Sequence, residues 1–411
     1  MRIFSRIEDL LAIYRAELDD RVVPFWMEHA IDWQNGGINT CISDEGRVLS
    51  YDKYMWSQLR AIWTFSALYN KIARRQEWLD VARHIYRFAR AHGRDEQGRW
   101  VFSVDRQGNI LQGATSIYAD GFAIYGLTEL ARATGDSEVL DLALDTYRNV
   151  QQRLARPGSY ATDPYPLPPG VKAHGISMIF ASVFGELGQL TGDPEITAAS
   201  LHHAHEVMDV FLQPQDRMLL EFMTLDNRRL DSPQGRSIVP GHAIESMWFM
   251  IHIYQRQGDQ ARIQQAVDAI RWHLELGWDP ECGGILLARD AAGDSKPWWA
   301  FADTKLWWPH TEALYALLLA YEITGAEWCL QWYERVHDYA FSHYPVPGYG
   351  EWTQRLDRRG RKFSQVVALP VKDPFHLPRA LIYCRLALER LVRAERERIV
   401  GQGSHHRGAN T

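Results

Sequence analysis

Five short alternating stretches, each closing on a turn, recur along the chain, and their period limits what it can fold into. They read GGINTCISDEGRVL, GRWVFSVDRQGNIL, RMLLEFMTLDNRRL, GGILLARDAAGD and YGEWTQRLDRRGRK. Alternation ending at Asp, Asn or Gly is the mark of a β-hairpin. The turn aspartates Asp44, Asp105, Asp226, Asp290 and Asp357 lie 61, 121, 64 and 67 residues apart, so one member is missing near residue 165. A Pro-rich loop, PGSYATDPYPLPPG, stands in its place. Between the hairpins a second signal recurs as ATGDSEV, LTGDPEI, RQGDQAR and ITGAEW. A glycine that ends one helix, followed by a residue that opens the next, makes a tight helix–helix connection.

The unit is therefore helix, tight turn, helix, hairpin. With one helix at each end the chain carries twelve, or six pairs if the first and last pack together. Helices that follow a hairpin are apolar almost all round, as in FAIYGLTELA, SMIFASVFGEL and EALYALLLAYE, whereas those after the tight turn, such as EWLDVARHIYRFARAHG, are charged on one face. All-round apolarity means burial and one-sided apolarity means a surface position. Six buried helices inside six amphipathic ones make an all-α (α/α)6 barrel with short β-hairpins at one end. The expected organisation is a single domain over residues 1–395, with a disordered tail over 396–411.

The totals narrow the class. A net charge of -6 with interspersed signs offers no basic stripe for nucleic acid. Cys41, Cys282, Cys329 and Cys384 are far apart and lack metal spacing, which suits reduced thiols and a cytoplasmic location. The first twenty residues carry acids where a signal peptide is apolar, and no stretch is long enough to span a membrane. The surface is too mixed to nominate an interface, although a homodimer is compatible with it. Most of the sixteen tryptophans, 18 tyrosines and 15 phenylalanines read as core, but several stand beside polar residues at helix starts. Rings so placed suit a carbohydrate site, where they stack on the apolar faces of sugars.

The inner helices open with KYMWSQLR, TSIYADGF, VKAHGISM, VPGHAIES, LWWPHTEA and DPFHLPRA, so these starts should ring one mouth. The ring contains Trp56, Arg60, Tyr118, Asp120, His174, His242, Glu245, Trp308, His310, Glu312, His376 and Arg379. Spacings of three or four put Trp56 with Arg60, His242 with Glu245, Trp308 with Glu312 and His376 with Arg379 on common faces. His310, two residues from Glu312, should turn into the wall. Outer-helix residues His202, His203 and His205 read as surface. Imidazoles titrate near neutrality and suit proton transfer. A C–H beside a carbonyl yields its proton only if the enediolate is stabilised, a task for Arg60 and the paired acids. Inverting C2 of a sugar needs one acid/base group on each face, and His242 and His376 stand on different helices. An HxxE zinc site through His242 and Glu245 lacks a third ligand, and no metal is expected.

At GRVLSYDKYMWSQLRAIW, VPGHAIESMWF, ECGGILLA, KLWWPHTEALYALLLAY, YGEW and FHLPRAL the chain resembles the N-acylglucosamine 2-epimerase family over nearly its whole length. The resemblance implies an (α/α)6 barrel and cofactor-free, metal-independent deprotonation and reprotonation at C2 of a free mono- or disaccharide. It implies His242 and His376 as the acid/base pair, with Arg60, Glu245, Trp308 and Glu312 lining the sugar site. Trp56, Tyr118, His174 and Arg379 are expected there too. KAHGISM departs from the more apolar, Pro- and Met-containing stretch of the animal members, which leaves N-acetyl and hydroxyl substituents both open at C2. Some relatives are nucleotide-activated, but no GxxxxGK[ST] loop is present. Three other readings remain: an aldose–ketose isomerase using the same histidines, a glycoside hydrolase using Glu245 and Glu312, and a non-catalytic binding protein.

Overall fold

The structure is a computed structural model that describes residues 7–156, 158–293 and 297–407. The segments α1 (Ile7–Ala16) and α2 (Val23–His29) form one rod, joined by a π-helical turn at Glu17–Val22. Strand β1 (Lys53–Tyr54) runs into α3 (Met55–Ala67), and α4 (Gln76–His92) returns outside it. The hairpin β2 (Ser103–Val104) and β3 (Ile110–Gln112) leads to the pair α5 (Ile117–Thr134) and α6 (Ser137–Leu154). Strand β4 (Val171–Ala173) precedes α7 (His174–Thr191) and α8 (Pro194–His205). Next come β5 (Leu212–Gln213), β6 (Met218–Leu219), β7 (Phe222–Thr224) and β8 (Ser237–Ile238), then α9 (Pro240–Gln257) and α10 (Gln260–Gly277). The last repeats are β9 (Arg289–Asp290), β10 (Lys305–Leu306), α11 (Trp307–Thr324), α12 (Glu327–His343), β11 (Arg355–Leu356) and α13 (His376–Arg407).

Among the described residues these make twelve helical rods, alternately inside and outside the ring, as the repeat requires. Inner helices α5, α7 and α11 are buried along almost their whole length, while α4 and α6 bury one face. The TGD turns work as their chemistry predicts. Gly135, Gly192, Gly258 and Gly325 end their helices at φ between 64° and 71°, a conformation glycine adopts without penalty. Asp136, Asp193 and Asp259 then cap the next helix by accepting from the backbone N–H of Glu138, Glu195 and Arg262.

The ring closes between the ends of the chain. Thr64 on α3 donates to the Pro374 carbonyl at 2.7 Å, and Trp63 meets Phe375 edge-on at 5.4 Å. On the outside, α13 is tied to the N-terminal rod by Arg385–Asp19 and Arg15–Glu389. The first and last helices are thus the sixth pair.

Strand pairing departs from the sequence reading in an informative way. The expected hairpins pair within themselves at β2–β3 and at single bridges such as Ile42 with Val48, Met223 with Arg229 and Leu356 with Lys362. The longer registers instead join neighbouring repeats: β1 pairs β2, β4 pairs β7, β8 pairs β9, and β10 pairs β11, all antiparallel. Strands β1, β4, β8 and β10, which feed inner helices, each have their partner edge in the next hairpin, so the mouth of the barrel is laced repeat by repeat. Two of these joints carry the same buried clamp. Lys53 on β1 reaches Asp32 at 3.0 Å with Arg106 alongside, and Lys305 on β10 reaches Asp279 at 3.3 Å with Arg358 alongside. Both lysines are wholly buried, which is tolerable only because each is paired.

The C-terminal expectation needs correcting. Helix α13 continues to Arg407. The segment 396–407, taken as disordered from its composition, is therefore helical, and 408–411 lie outside the described residues. At the start of that segment Arg396 pairs with Glu8 of α1 at 2.6 Å. Among the described residues no helix is long and apolar enough to cross a membrane.

Candidate active site

The starts of the inner helices surround one cavity of about 200 Å³. Trp56 and Arg60 come from α3, Tyr118 from α5, His242 and Glu245 from α9, Trp308 from α11 and His376 from α13, and all of them line it. The helical spacings that placed these residues on common faces hold. Trp308 lies between the two histidines, with ring centroids 5.1 Å from His242 and 5.5 Å from His376. The glycine of the PGH string allows this, because a Cβ at Gly241 would stand 2.7 Å from the Trp308 ring.

The two imidazoles face opposite electrostatic surroundings. His242 Nδ1 contacts Glu221 Oε2 at 3.1 Å. Burial works against a charged His242, but the adjacent Glu221 carboxylate and then Glu245 outweigh it, and the net effect raises its pKa. Glu221 shows the reciprocal effect: burial alone would raise it, yet His242 and His174 hold it down at about 2. His376 is the converse case. Burial, with Arg60 and Arg379 nearby, outweighs Glu245 and Asp373 and pushes it down to about 3. His376 Nδ1 lies 2.7 Å from Glu312 Oε1. A carboxylate there accepts the Nδ1 proton, so in neutral His376 the lone pair resides on Nε2, beside Asp373 Oδ2 at 3.6 Å. The two shifts run in opposite directions, favouring the charged form of His242 and the neutral form of His376.

Arg60 supplies the positive charge. Its guanidinium is sandwiched by Phe122 at 3.9 Å and by Trp56 and Phe375 at 4.8 Å, and it binds Asp373 at 3.2 Å. Burial lowers its pKa to about 10, still far above neutrality. Arg60 Nε and Asp373 Oδ1 are both buried without a hydrogen-bond partner.

Three residues expected to touch the sugar stand one layer back. Glu312 is taken up by His376, by Trp248 Nε1 at 2.9 Å and by Arg379 Nη2 at 2.7 Å. Arg379 joins Glu312 to Glu245 and is covered by Phe375. His174 has no exposure, bonds Ser246 through Nε2 at 3.0 Å and faces Glu221 Oε1 at 3.7 Å. Asp120 also leaves the ring, accepting from the Trp100 backbone and pairing with Arg153 at 2.7 Å. His310 turns into the wall and accepts from the Ile285 N–H at 2.8 Å. On the outer layer, His203 is buried rather than at the surface, packed against Phe180 and Phe184. Sequence reasoning missed Glu221 and Asp373. Glu221 sits between β6 and β7 in a stretch read only as a hairpin, and Asp373 precedes the FHLPR string by two residues. Glu245, Glu312 and His376 could in principle ligate a metal, but the cationic position between the two carboxylates is filled by the Arg379 guanidinium.

A closed helical barrel gathers two histidines, an arginine and an indole around one small cavity. The family model for N-acylglucosamine 2-epimerase (GlcNAc 2-epimerase) matches residues 36–380, and the chain belongs to that family. It is thereby an isomerase-class enzyme, of the group of carbohydrate racemases and epimerases. The N-acylglucosamine 2-epimerase of Mus musculus is 31% identical over 396 residues, covering 91% of this chain and 90% of its own. Among solved structures, the cellobiose 2-epimerase of Bacillus thermoamylovorans B4167 superposes with a TM-score of 0.81 at 23% identity, covering 93% of this chain and all of its own. A D-mannose isomerase follows with a TM-score of 0.78 at 18% identity, covering 92% and 97%. These two likenesses describe the barrel.

Proposed function

We propose that the chain inverts C2 of a free aldose, with His376 and His242 exchanging the C2 proton on opposite faces of the sugar. The observation that carries this is the placing of two imidazoles on either side of one indole at the cavity, their pKa values displaced in opposite directions. With the open-chain aldehyde bound, neutral His376 Nε2 removes the C2 proton and the electron pair moves into an enediolate. Arg60, dry and cationic, stabilises the oxygen on which charge develops. His242 then delivers its Nε2 proton to C2 from the other face, and the two histidines end with their protonation states exchanged. Glu221 and Glu312 fix the tautomers from behind, and Trp308 offers its face to the sugar. The cavity, smaller than the ~300–1,000 Å³ of typical ligand pockets, suits one sugar ring better than two. Glu245 and Glu312 share a single Arg379 nitrogen, which argues against two opposed carboxylates of a glycoside hydrolase. Free thiols at all four cysteines support residence in the cytoplasm.

The test is proton NMR in D2O with N-acetylglucosamine, N-acetylmannosamine, glucose and mannose, without nucleotide. Deuterium at C2 together with the other epimer is expected from one pair. Fructose formed from mannose would replace this reading by aldose–ketose isomerisation, and no exchange with these four or with the charged aldoses mannuronate and mannose 6-phosphate would remove it.

A further inference from the structure

Asp373 stands between Arg60 and His376, and neither holding a tautomer nor closing the ring accounts for it there. It lines the cavity and is 5% exposed. Its Oδ2 accepts from Arg60 Nη1 at 3.2 Å, and the same oxygen lies 3.6 Å from His376 Nε2. A lone pair and a carboxylate oxygen facing each other keep such a separation while the imidazole is neutral. The tautomer of His376 is already set at its other nitrogen by Glu312, at 2.7 Å. His242, by contrast, has a single acid within ion-pair distance among the described residues, Glu221 on its Nδ1.

The chain is pinned on either side of Asp373. The Lys372 N–H bonds the Thr40 carbonyl at 2.7 Å, and Lys372 Nζ holds Asp44 at 2.7 Å and the Trp352 carbonyl at 2.8 Å. On the other side the Pro374 carbonyl accepts from Thr64 at 2.7 Å. The carboxylate is therefore fixed before any sugar enters, as a group that answers a developing charge must be.

The charges of the reaction give it a task. Removing the C2 proton turns two neutral partners, His376 and the sugar, into an imidazolium and an enediolate inside a dry cavity, where an unanswered charge is costly. Arg60 answers the enediolate. Behind the effect of burial, Arg60 opposes a charge on His376 and Asp373 favours it. With the acid in place the charges alternate along one row: enediolate, Arg60, Asp373, His376. The C–H electron pair enters the enediolate and the proton stays on His376 Nε2. The new N–H closes on Asp373 Oδ2 while Arg60 turns to the sugar oxygen, and no proton passes to Asp373. Building on the C2 reading above, we infer that Asp373 is a positioning residue for the reaction, the counter-charge that receives the His376 imidazolium and releases Arg60 to the enediolate.

The experiment uses the full chain and whichever of the six aldoses named above the wild type exchanges at C2. Asp373→Asn keeps the shape of the side chain and an amide oxygen for Arg60 but loses the charge. Circular dichroism and calorimetric sugar binding confirm a folded, occupied site. The kcat for C2 deuterium exchange is expected to fall at least roughly 10-fold, the weight of one hydrogen bond to a charged group. KM is expected to change less than about 3-fold, because the lost interaction forms only after proton transfer. Asp373→Ser, also uncharged, takes the same readouts if the Asn variant does not fold. If Asp373 merely held Arg60 in place, the Asn oxygen would suffice and kcat would stay near wild type. That result, or a loss confined to KM, would overturn the inference and leave the C2 chemistry standing. A wild-type chain that exchanges none of the six aldoses would overturn both.

Discussion

Replacing Glu221 with glutamine keeps the shape of the side chain and removes the charge that holds a proton on His242. In the native site burial disfavours the imidazolium, and the 3.1 Å contact to Glu221 more than offsets it. With the carboxylate gone only Glu245 favours the charged form, against burial and Arg60. A hydrogen bond to a charged group contributes about 1.5–3 kcal/mol, which at 1.36 kcal/mol per decade is roughly 10- to 150-fold in the protonated population. The rate of C2 deuterium incorporation at neutral pH is therefore expected to fall by up to that factor. The sign of the pH effect follows. His242 must be protonated to act, so activity fails as pH rises through its pKa, and Glu221→Gln moves that high-pH limb of kcat/KM to lower pH. The low-pH limb belongs to His376, which must be neutral, and its value of about 3 is set by groups other than Glu221. The assay is the exchange rate from about pH 5 to 9, with circular dichroism to confirm folding. A folded variant whose high-pH limb stays in place would refute the reasoning, even if its rate were lower at every pH.

Asp279→Ala should be among the most destabilising single changes at the mouth. Lys305 has no exposure and would keep its charge without its partner, so a loss of about 3–5 kcal/mol is expected in urea unfolding; a loss under 1 kcal/mol would mean the clamp is solvated. Because the pairing holds the Asp279 carboxyl well below the usual carboxylate range, against the pull of burial, its stabilisation is present above the unfolded-state pKa and fades as pH falls through that low value. Exhaustive chelation should leave C2 exchange unchanged, since Arg379 stands where a cation would bridge Glu245 and Glu312. Activity that is lost on chelation and restored by added metal would refute this.

The barrel was legible because its punctuation is local. A glycine at positive φ and an aspartate cap act within a few residues, so TGD reports its turn wherever it occurs. His242 and His376 could be found because polar residues stand out at the starts of apolar helices. The layering behind them was not legible. Glu312 and Arg379 show the same helical spacing whether they touch a sugar or hold another side chain, and only the three-dimensional arrangement puts both behind His376. Glu221 and Asp373 lie in segments whose partners belong to other repeats, and periodicity carries no information about such pairs. The ladders between repeats went unread for the same reason, since an alternating stretch does not say which further edge it will meet.

The seam at which the barrel closes is also the floor of its cavity. Arg60 meets Asp373 across 313 residues, and Thr64 meets Pro374 across 310, so these are among the longest-range contacts in the chain. Synthesis delivers the first inner helix early and His376 near the end. Five of the six inner helices can assemble while the proton acceptor is still missing, and the loop-closure entropy of the seam is settled last. On the mechanism proposed above, partly folded chains therefore carry no half-built activity towards sugars, and a nick before Asp373 that frees α13 removes the proton acceptor, a cavity carboxylate and the final strut of the ring in a single event.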